Sequence, residues 1–506
     1  MPTAVRRDSE VRPRGSEEPP EAMSPIKTLI GRFYNEQVED ICTKVLYFNN
    51  TLDTYFLIGA LLSFLVIESA GPNLVLFVPV LVAISVCFKI SDFYPVYLLF
   101  TPLFAVCVVN VVGFDATVCA RLLAANVLVF GVIQFLFMGI PDSIVARDPT
   151  VSVRKLYNSI FTIAPTTVSV LMSVYFSTLC AMVLYFKPNP VNDRWAFILW
   201  VSLYGAAFVT RKCRPRSFAS EEFLPQPEKR VVDRVVVLNI DGCRLDRFYE
   251  AQLPLMEQLR KSSSYFENGA TTVYRALTNP AFVSILTGTT PDVHGVRDNN
   301  LGRRIKVEGL PDIVDTMLYG SMHVKHFSKP HWNTRIVSLP MHSVYRSDDV
   351  MLGWLKEDLV THKDTRLFVA DLSEVDFLGH AYGSDSHQYV EAIRRAGGRI
   401  EEFLTWLEHE DSVNTAVIIS SDHGMVAIDH SYLLFDAEKY VPLFLLGHGV
   451  EKGRRLNYQT SIMDIAPTIS YLLGSKYPES CRGRVIIEAM ENSAATDTTM
   501  RQAAPR

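Results

Sequence analysis

Three short apolar runs, each closing on an acid or an acid–histidine pair, constrain this chain most. The first is Arg234–Gly242, RVVVLNIDG. Its β-branched and aliphatic residues read as a strand buried on both faces, as in a parallel sheet. The Asp-Gly that ends it reads as a turn. The second, Asn414–Ser421, runs into Asp422-His423-Gly424-Met425. The third, Thr365–Ala370, runs into Asp371 and then into Asp376 and His380. Ligands of open α/β sheets bind beyond the carboxyl ends of the strands. Asp241 therefore stands either as a metal-binding carboxylate or as a cap for the helix that follows. Carboxylate plus imidazole at three strand ends suits Zn²⁺ or Mn²⁺.

The rest of the chain divides by hydropathy. Residues 1–50 are a polar, basic flank. Residues 51–212 hold six apolar runs, at about 54–70, 73–89, 93–113, 117–140, 163–186 and 195–210. Roughly 20 apolar residues cover a bilayer as a helix, so this region reads as a multi-pass, all-α transmembrane bundle. The first two runs are short, and merging them would leave five spans. Residues 213–230 read as a linker, 231–490 as one large α/β domain and 491–506 as a polar, disordered tail. Helical stretches such as Leu253–Ser262 and Ser386–His409 alternate with strands, which predicts a doubly wound, mostly parallel sheet.

Composition excludes other classes. The chain is 48% apolar with a net charge of −5, so nucleic-acid binding has no electrostatic support. Eight scattered cysteines without a C-x-x-C pair do not indicate a disulfide framework, and they leave the redox compartment open. Nothing in the pattern fixes an oligomeric state.

Basic residues give a topology. With six spans, one side collects the N-terminal flank, Lys89, then Arg147, Arg154 and Lys155, and finally Arg211, Lys212, Arg214 and Arg216. The other side has Arg121, Lys187 and Arg194. The charge rule then places the α/β domain in the cytoplasm. Five spans would place it on the side opposite the N-terminus.

The candidate nucleophile lies in Arg275–Gly288, RALTNPAFVSILTG. Pro280 suits a first helical turn, which puts Thr278 at a helix N-terminus, where anions are favoured. Thr278 is there as an N-cap or as a nucleophile activated by a bound metal.

Asp241, the segment TNPAFVSILTGTTPDVHGVRDN, Asp376-x-x-x-His380 and SDHGM occur in the order of the alkaline phosphatase superfamily. The chain resembles most its type I phosphodiesterase/nucleotide pyrophosphatase branch, over about residues 234–475. The resemblance implies a metal-dependent phosphoric ester hydrolase with two divalent ions, zinc or manganese. One would be held by Asp241, Thr278, Asp422 and His423. The other would be held by Asp376, His380 and one more histidine, His430 in preference to His448. Thr278 would attack phosphorus. Asn279 and Asn299 are the candidates for holding a phosphate oxygen, because Ala281 stands where the branch has an asparagine.

The implied substrate is a phosphodiester or phosphomonoester, and the apolar half suggests a lipid-linked one. Phosphoethanolamine- or phosphoglycerol-type transfer is the alternative, and a degenerate membrane assembly module the non-enzymatic one. A sulfatase would need Cys or Ser at position 278 and an arginine that is missing. A mutase would need a larger insertion than the 97 residues between Thr278 and Asp376.

Overall fold

The computed structural model describes residues 230–491, apart from 298, 300–303, 411–412, 427–429 and 431–434, together with Ser143, Thr150, Val151, Val153 and Pro225. Among the described residues no helix is long and apolar enough to cross a membrane. The six apolar runs, and with them the expected transmembrane bundle, lie outside the described residues, as do the two polar ends.

The strands are β1 Arg234–Ile240, β2 Ser263–Phe266, β3 Ala270–Thr271, β4 Thr316–Gly320, β5 Asn333–Ile336, β6 Leu367–Leu372, β7 Thr415–Ser420, β8 Tyr440–Val441, β9 Leu443–Gly447, β10 Arg454–Leu456 and β11 Thr460–Ser461. Eight of them form one sheet in the order β10-β2-β9-β7-β1-β6-β4-β5. Only β9 runs against its neighbours β7 and β2. The pairs β1–β6, β1–β7, β4–β6, β4–β5 and β2–β10 are parallel. The small sheet β11-β3-β8 sits apart. The expected mostly parallel sheet is thus present.

Both faces of this sheet are covered, which explains the continuous apolar strands. Val235 and Val237 of β1 enter one core with Leu367, Val369, Ala416 and Ile418. Val236, Leu238 and Ile240 enter the other with Phe368, Ala370, Leu372, Val417 and Ile419. Helices Thr278–Thr287 and Ile465–Leu473 cover the first face. Helices Val344–Thr361, Glu374–Tyr382 and His387–Glu410 cover the second.

Two boundaries move. The helix expected from Leu253 starts at Leu255, with Pro254 as its N-cap. The third strand extends through Asp371 to Leu372, so Asp371 lies inside β6 and not in a turn after it. Residues 387–410 form a helix as expected, burying Tyr389, Ile393, Ala396, Ile400, Phe403 and Leu407 at helical spacing. The same helix supplies Arg395 and Arg399 to Glu374, a fully buried acid at the start of helix Glu374–Tyr382. A buried carboxylate needs such partners, and the pairing fixes the start of the helix that carries Asp376 and His380.

Candidate metal centre

β1 lies between β6 and β7, so the three acid-bearing segments leave the sheet side by side. Asp241 follows β1, and Asp422 and His423 follow β7. Ligand atoms of these three residues lie within 4.8 Å of one another. His423 Nε2 is 3.5 Å from Asp241 Oδ1 and 3.4 Å from Asp422 Oδ2. A second group joins Asp376 and His380, one turn apart on their helix, to His430. His380 Nε2 and His430 Nε2 are 3.0 Å apart, and His430 Nε2 is 3.5 Å from Asp376 Oδ1. The groups adjoin, since the rings of His423 and His430 stack with centroids 3.8 Å apart.

Thr278 opens helix Thr278–Thr287 and points into this centre. Its Oγ1 is 3.2 Å from His423 Nε2. It is not the N-cap, which is Leu277 without a side-chain bond. Nor does Asp241 cap the next helix, whose N-cap is Arg244. All ten residues of the Thr278 helix are buried. Its other two hydroxyls bond within the helix, Ser284 Oγ donating to Pro280 O and Thr287 Oγ1 to Val283 O.

Close backbone approach explains two glycines. Gly242 has φ +69°, and a Cβ there would lie 2.6 Å from Asp376 Oδ1, so the Asp-Gly turn lets the two groups meet. A Cβ at Gly424 would lie 1.9 Å from Ala437 O. Second partners orient the ligands. Gly242 N–H donates to Asp422 Oδ1 at 3.2 Å. Ser421 Oγ accepts from Cys243 N–H and donates to His423 O. His430 Nδ1 bonds Ala276 O at 2.6 Å, and His423 Nδ1 bonds Gly424 O at 3.0 Å. A carbonyl oxygen can only accept, so Nδ1 carries the hydrogen and donates it, which leaves each Nε2 a bare lone pair facing the centre.

The electrostatics call for a cation. Burial, then repulsion from Asp422, Asp376 and Asp371, pushes the Asp241 carboxyl well above the usual range. Burial, then Asp371 and Asp376, does the same to Asp422. Burial would also raise Asp376, but the imidazoles of His380, His430 and His423 outweigh it and hold that carboxyl low. Burial keeps His423 neutral. Asp241 Oδ1, Asp376 Oδ1 and Asp422 Oδ2 are buried without a hydrogen-bond partner. Oxygen and imidazole nitrogen donors converging around such orphaned oxygens fit divalent ions of the zinc type.

Of the other residues singled out in sequence, His448 lies far away. Its N–H bonds Thr415 O, at the opposite end of β7 from Asp422, and its side chain is exposed. Asn279 and Asn299 meet at the helix start, Asn279 N–H donating to Asn299 Oδ1 at 3.0 Å. Asn279 Oδ1 is buried without a partner.

Sequence reasoning missed a buried network beside the centre. Asp371 Oδ1 accepts from Asn239 Nδ2 at 2.6 Å, Asp371 Oδ2 lies 2.8 Å from His323 Nε2, and His323 Nδ1 lies 2.6 Å from Ser321 Oγ. An acid inside a strand whose neighbours all face a core was the available signal, since such an acid needs a partner. Tyr389 was missed as well. Its hydroxyl donates to Gly242 O and accepts from Arg244 N–H, which pins the turn after Asp241.

Residues 235–309 and 314–480 match the family model described as type I phosphodiesterase / nucleotide pyrophosphatase. This match supports placing the domain in the alkaline phosphatase superfamily. Phosphopentomutase of Desulfitobacterium hafniense (strain DSM 10664 / DCB-2) is 31% identical over 121 residues, which cover 23% of this chain and 28% of its own. The 2,3-bisphosphoglycerate-independent phosphoglycerate mutase of Antithamnion sp. is 27% identical over 212 residues, covering 38% and 39%. The chain thus spans well under half the length of these curated relatives. Among solved structures, an inactive variant of murine ectonucleotide pyrophosphatase / phosphodiesterase 5 in complex with AMP aligns with TM-score 0.42 at 14% identity, over 48% of this chain and 96% of that one.

Proposed function

We propose that this superfamily domain is a metal-dependent phosphodiesterase or phosphohydrolase that works through Thr278. Phosphoric ester hydrolysis, or a related transfer, is the reaction class that the family match supports. The observation that carries the reading is the Thr278 hydroxyl, 3.2 Å from His423 Nε2, at the meeting point of two acid–histidine groups.

Asp241, Asp422, His423 and Thr278 would hold one divalent ion, and Asp376, His380 and His430 the other, with zinc suited to the donors. Such a pair, when bound, polarises the phosphoryl group and stabilises charge on the attacking and leaving oxygens. Thr278 Oγ1 forms the new bond to phosphorus as the bond to the leaving alcohol breaks. The Thr278 proton passes to solvent and the leaving oxygen takes one back. Water then attacks the phosphothreonine, restoring the Thr278 hydroxyl and releasing phosphate or its monoester. Asn279 and Asn299, at the first turn beside the nucleophile, are assigned to a phosphate oxygen through their side-chain amides.

The apolar runs would anchor this enzyme in a lipid bilayer, with the domain on the cytoplasmic side by charge bias and a lipid-linked ester as its substrate. Val360→Cys is the position with which to test the side, being 55% exposed. Cys481 is poorly suited, because burial pushes its thiol up to about 12. Protection of Val360→Cys from an impermeant thiol reagent until the membrane is opened is expected; labelling in intact cells would place the domain outside.

Thr278→Ala tests the nucleophile. Turnover of nucleotide diesters, lipid headgroup diesters and monoesters should fall by several orders of magnitude while most of the bound zinc is retained. Activity within tenfold of the parent on any substrate the parent cleaves would exclude Thr278. Adding an alcohol acceptor separates hydrolysis from transfer by the product formed.

A further inference from the structure

Val151 stands between the fourth and fifth apolar runs, some eighty residues before the catalytic domain. It is nevertheless fully buried, packed on Ala381, Phe377 and Tyr382 of helix Glu374–Tyr382. Thr150 and Val153 beside it are helical and exposed, so Val151 is the apolar knob of a helical stretch. Phe377 and Ala381 are one turn apart, and each directly follows a residue of the metal centre, Asp376 and His380. One residue along an α-helix turns about 100°. One side of this helix therefore carries Asp376 and His380, and the adjacent side carries the Val151 contact.

We propose that the helical residues Thr150, Val151 and Val153 act as a built-in strap, Val151 docking onto helix Glu374–Tyr382 and holding the Asp376/His380 arm of the centre in place. The docking stands without any metal; its effect on the centre rests on the two-metal reading.

Two experiments on the full-length chain test this. The first pairs Val151→Cys with Ala381→Cys and places a protease site in the 213–230 linker. After mild oxidation and cleavage the two fragments should stay joined until reduced, and each single-cysteine variant should fall apart. Separation of the fragments of the double variant would overturn the docking. The second measures zinc binding. Val151→Asp should weaken one of two bound ions by at least roughly tenfold, the size of effect seen when a ligand's support is lost. Val153→Asp, at an exposed position, should leave both unchanged. Two unchanged ions in the Val151→Asp chain would remove the strap's role at the centre. A parent chain that binds no zinc would overturn the two-metal reading, with the docking still judged by the cross-link.

Discussion

The two halves of the candidate metal centre are built differently. Asp241, Asp422 and His423 follow the ends of adjacent parallel strands and are buried, His423 to 0% exposure. Asp376 and His380 ride on a surface helix and His430 comes from a loop segment; the His380 side chain is 31% exposed. The strand-end half is fixed by the sheet that both cores enclose. The helix-and-loop half is fixed by contacts made around it: Arg395 and Arg399 on Glu374, Ala276 O on His430, and Val151 on Phe377 and Ala381. An ion in the first half should therefore be held by a rigid frame, and one in the second by a frame that can be loosened.

The largest effect should come from breaking the rigid half. Asp241→Asn keeps the shape and removes the charge. Turnover should fall on the order of a thousandfold or more, as for loss of a catalytic group, and one zinc should be lost. Metal analysis together with rate measurement checks this, and a variant that keeps two ions would show that Asp241 is no ligand.

Next comes the second half. His430→Ala should lose one ion and most activity, whereas His448→Ala should lose neither, since His448 sits by Thr415 at the far end of β7. That distance is roughly 20 Å at 3.3 Å per residue. The opposite pattern of metal loss would reassign the seventh ligand.

A smaller change joins the halves. Gly242→Ala puts a Cβ against Asp376 and into a left-handed backbone, which costs roughly 1–2 kcal/mol from the backbone alone. Denaturant unfolding should show that loss, and both ions should bind more weakly. Weakening of only one ion would mean that the halves are not coupled through this turn.

The mildest test is acid. His294 leans on helix Thr278–Thr287, its Nε2 3.1 Å from Ser284 Oγ, and burial lowers it to about 3 from 6.5. The folded state refuses the proton that the unfolded chain takes up below about 6.5. Stability should therefore fall as pH drops from 6.5 toward 3, by at most about 1.4 kcal/mol per pH unit. His294→Gln should flatten this slope relative to the parent between pH 6.5 and 4.5. Parallel slopes would show that His294 does not carry it.

These regions were not equally legible in the sequence. β1, β7 and most of β6 were visible because strands buried on both faces carry no polar alternation. The i, i+4 pair Asp376 and His380 was visible because a helix turn brings such residues together whatever surrounds it. Asp371 misled, because its partners Asn239 and His323 come from neighbouring strands and the following helix. Tyr389 gave no sign, since its role depends on a backbone carbonyl 147 positions away.

The sequence by itself determined the kinds of candidate ligand, their order and the elements that carry them, because periodicity and side-chain chemistry are local. It also favoured His430. Only the tertiary structure decided which groups converge. β1 has to lie between β6 and β7 for Asp241 to meet both partners, and that order is set by long-range burial of both sheet faces. β9 has to run against β7 for His448 to be carried to the opposite end, and a strand's direction is set by its partner and not by its own residues.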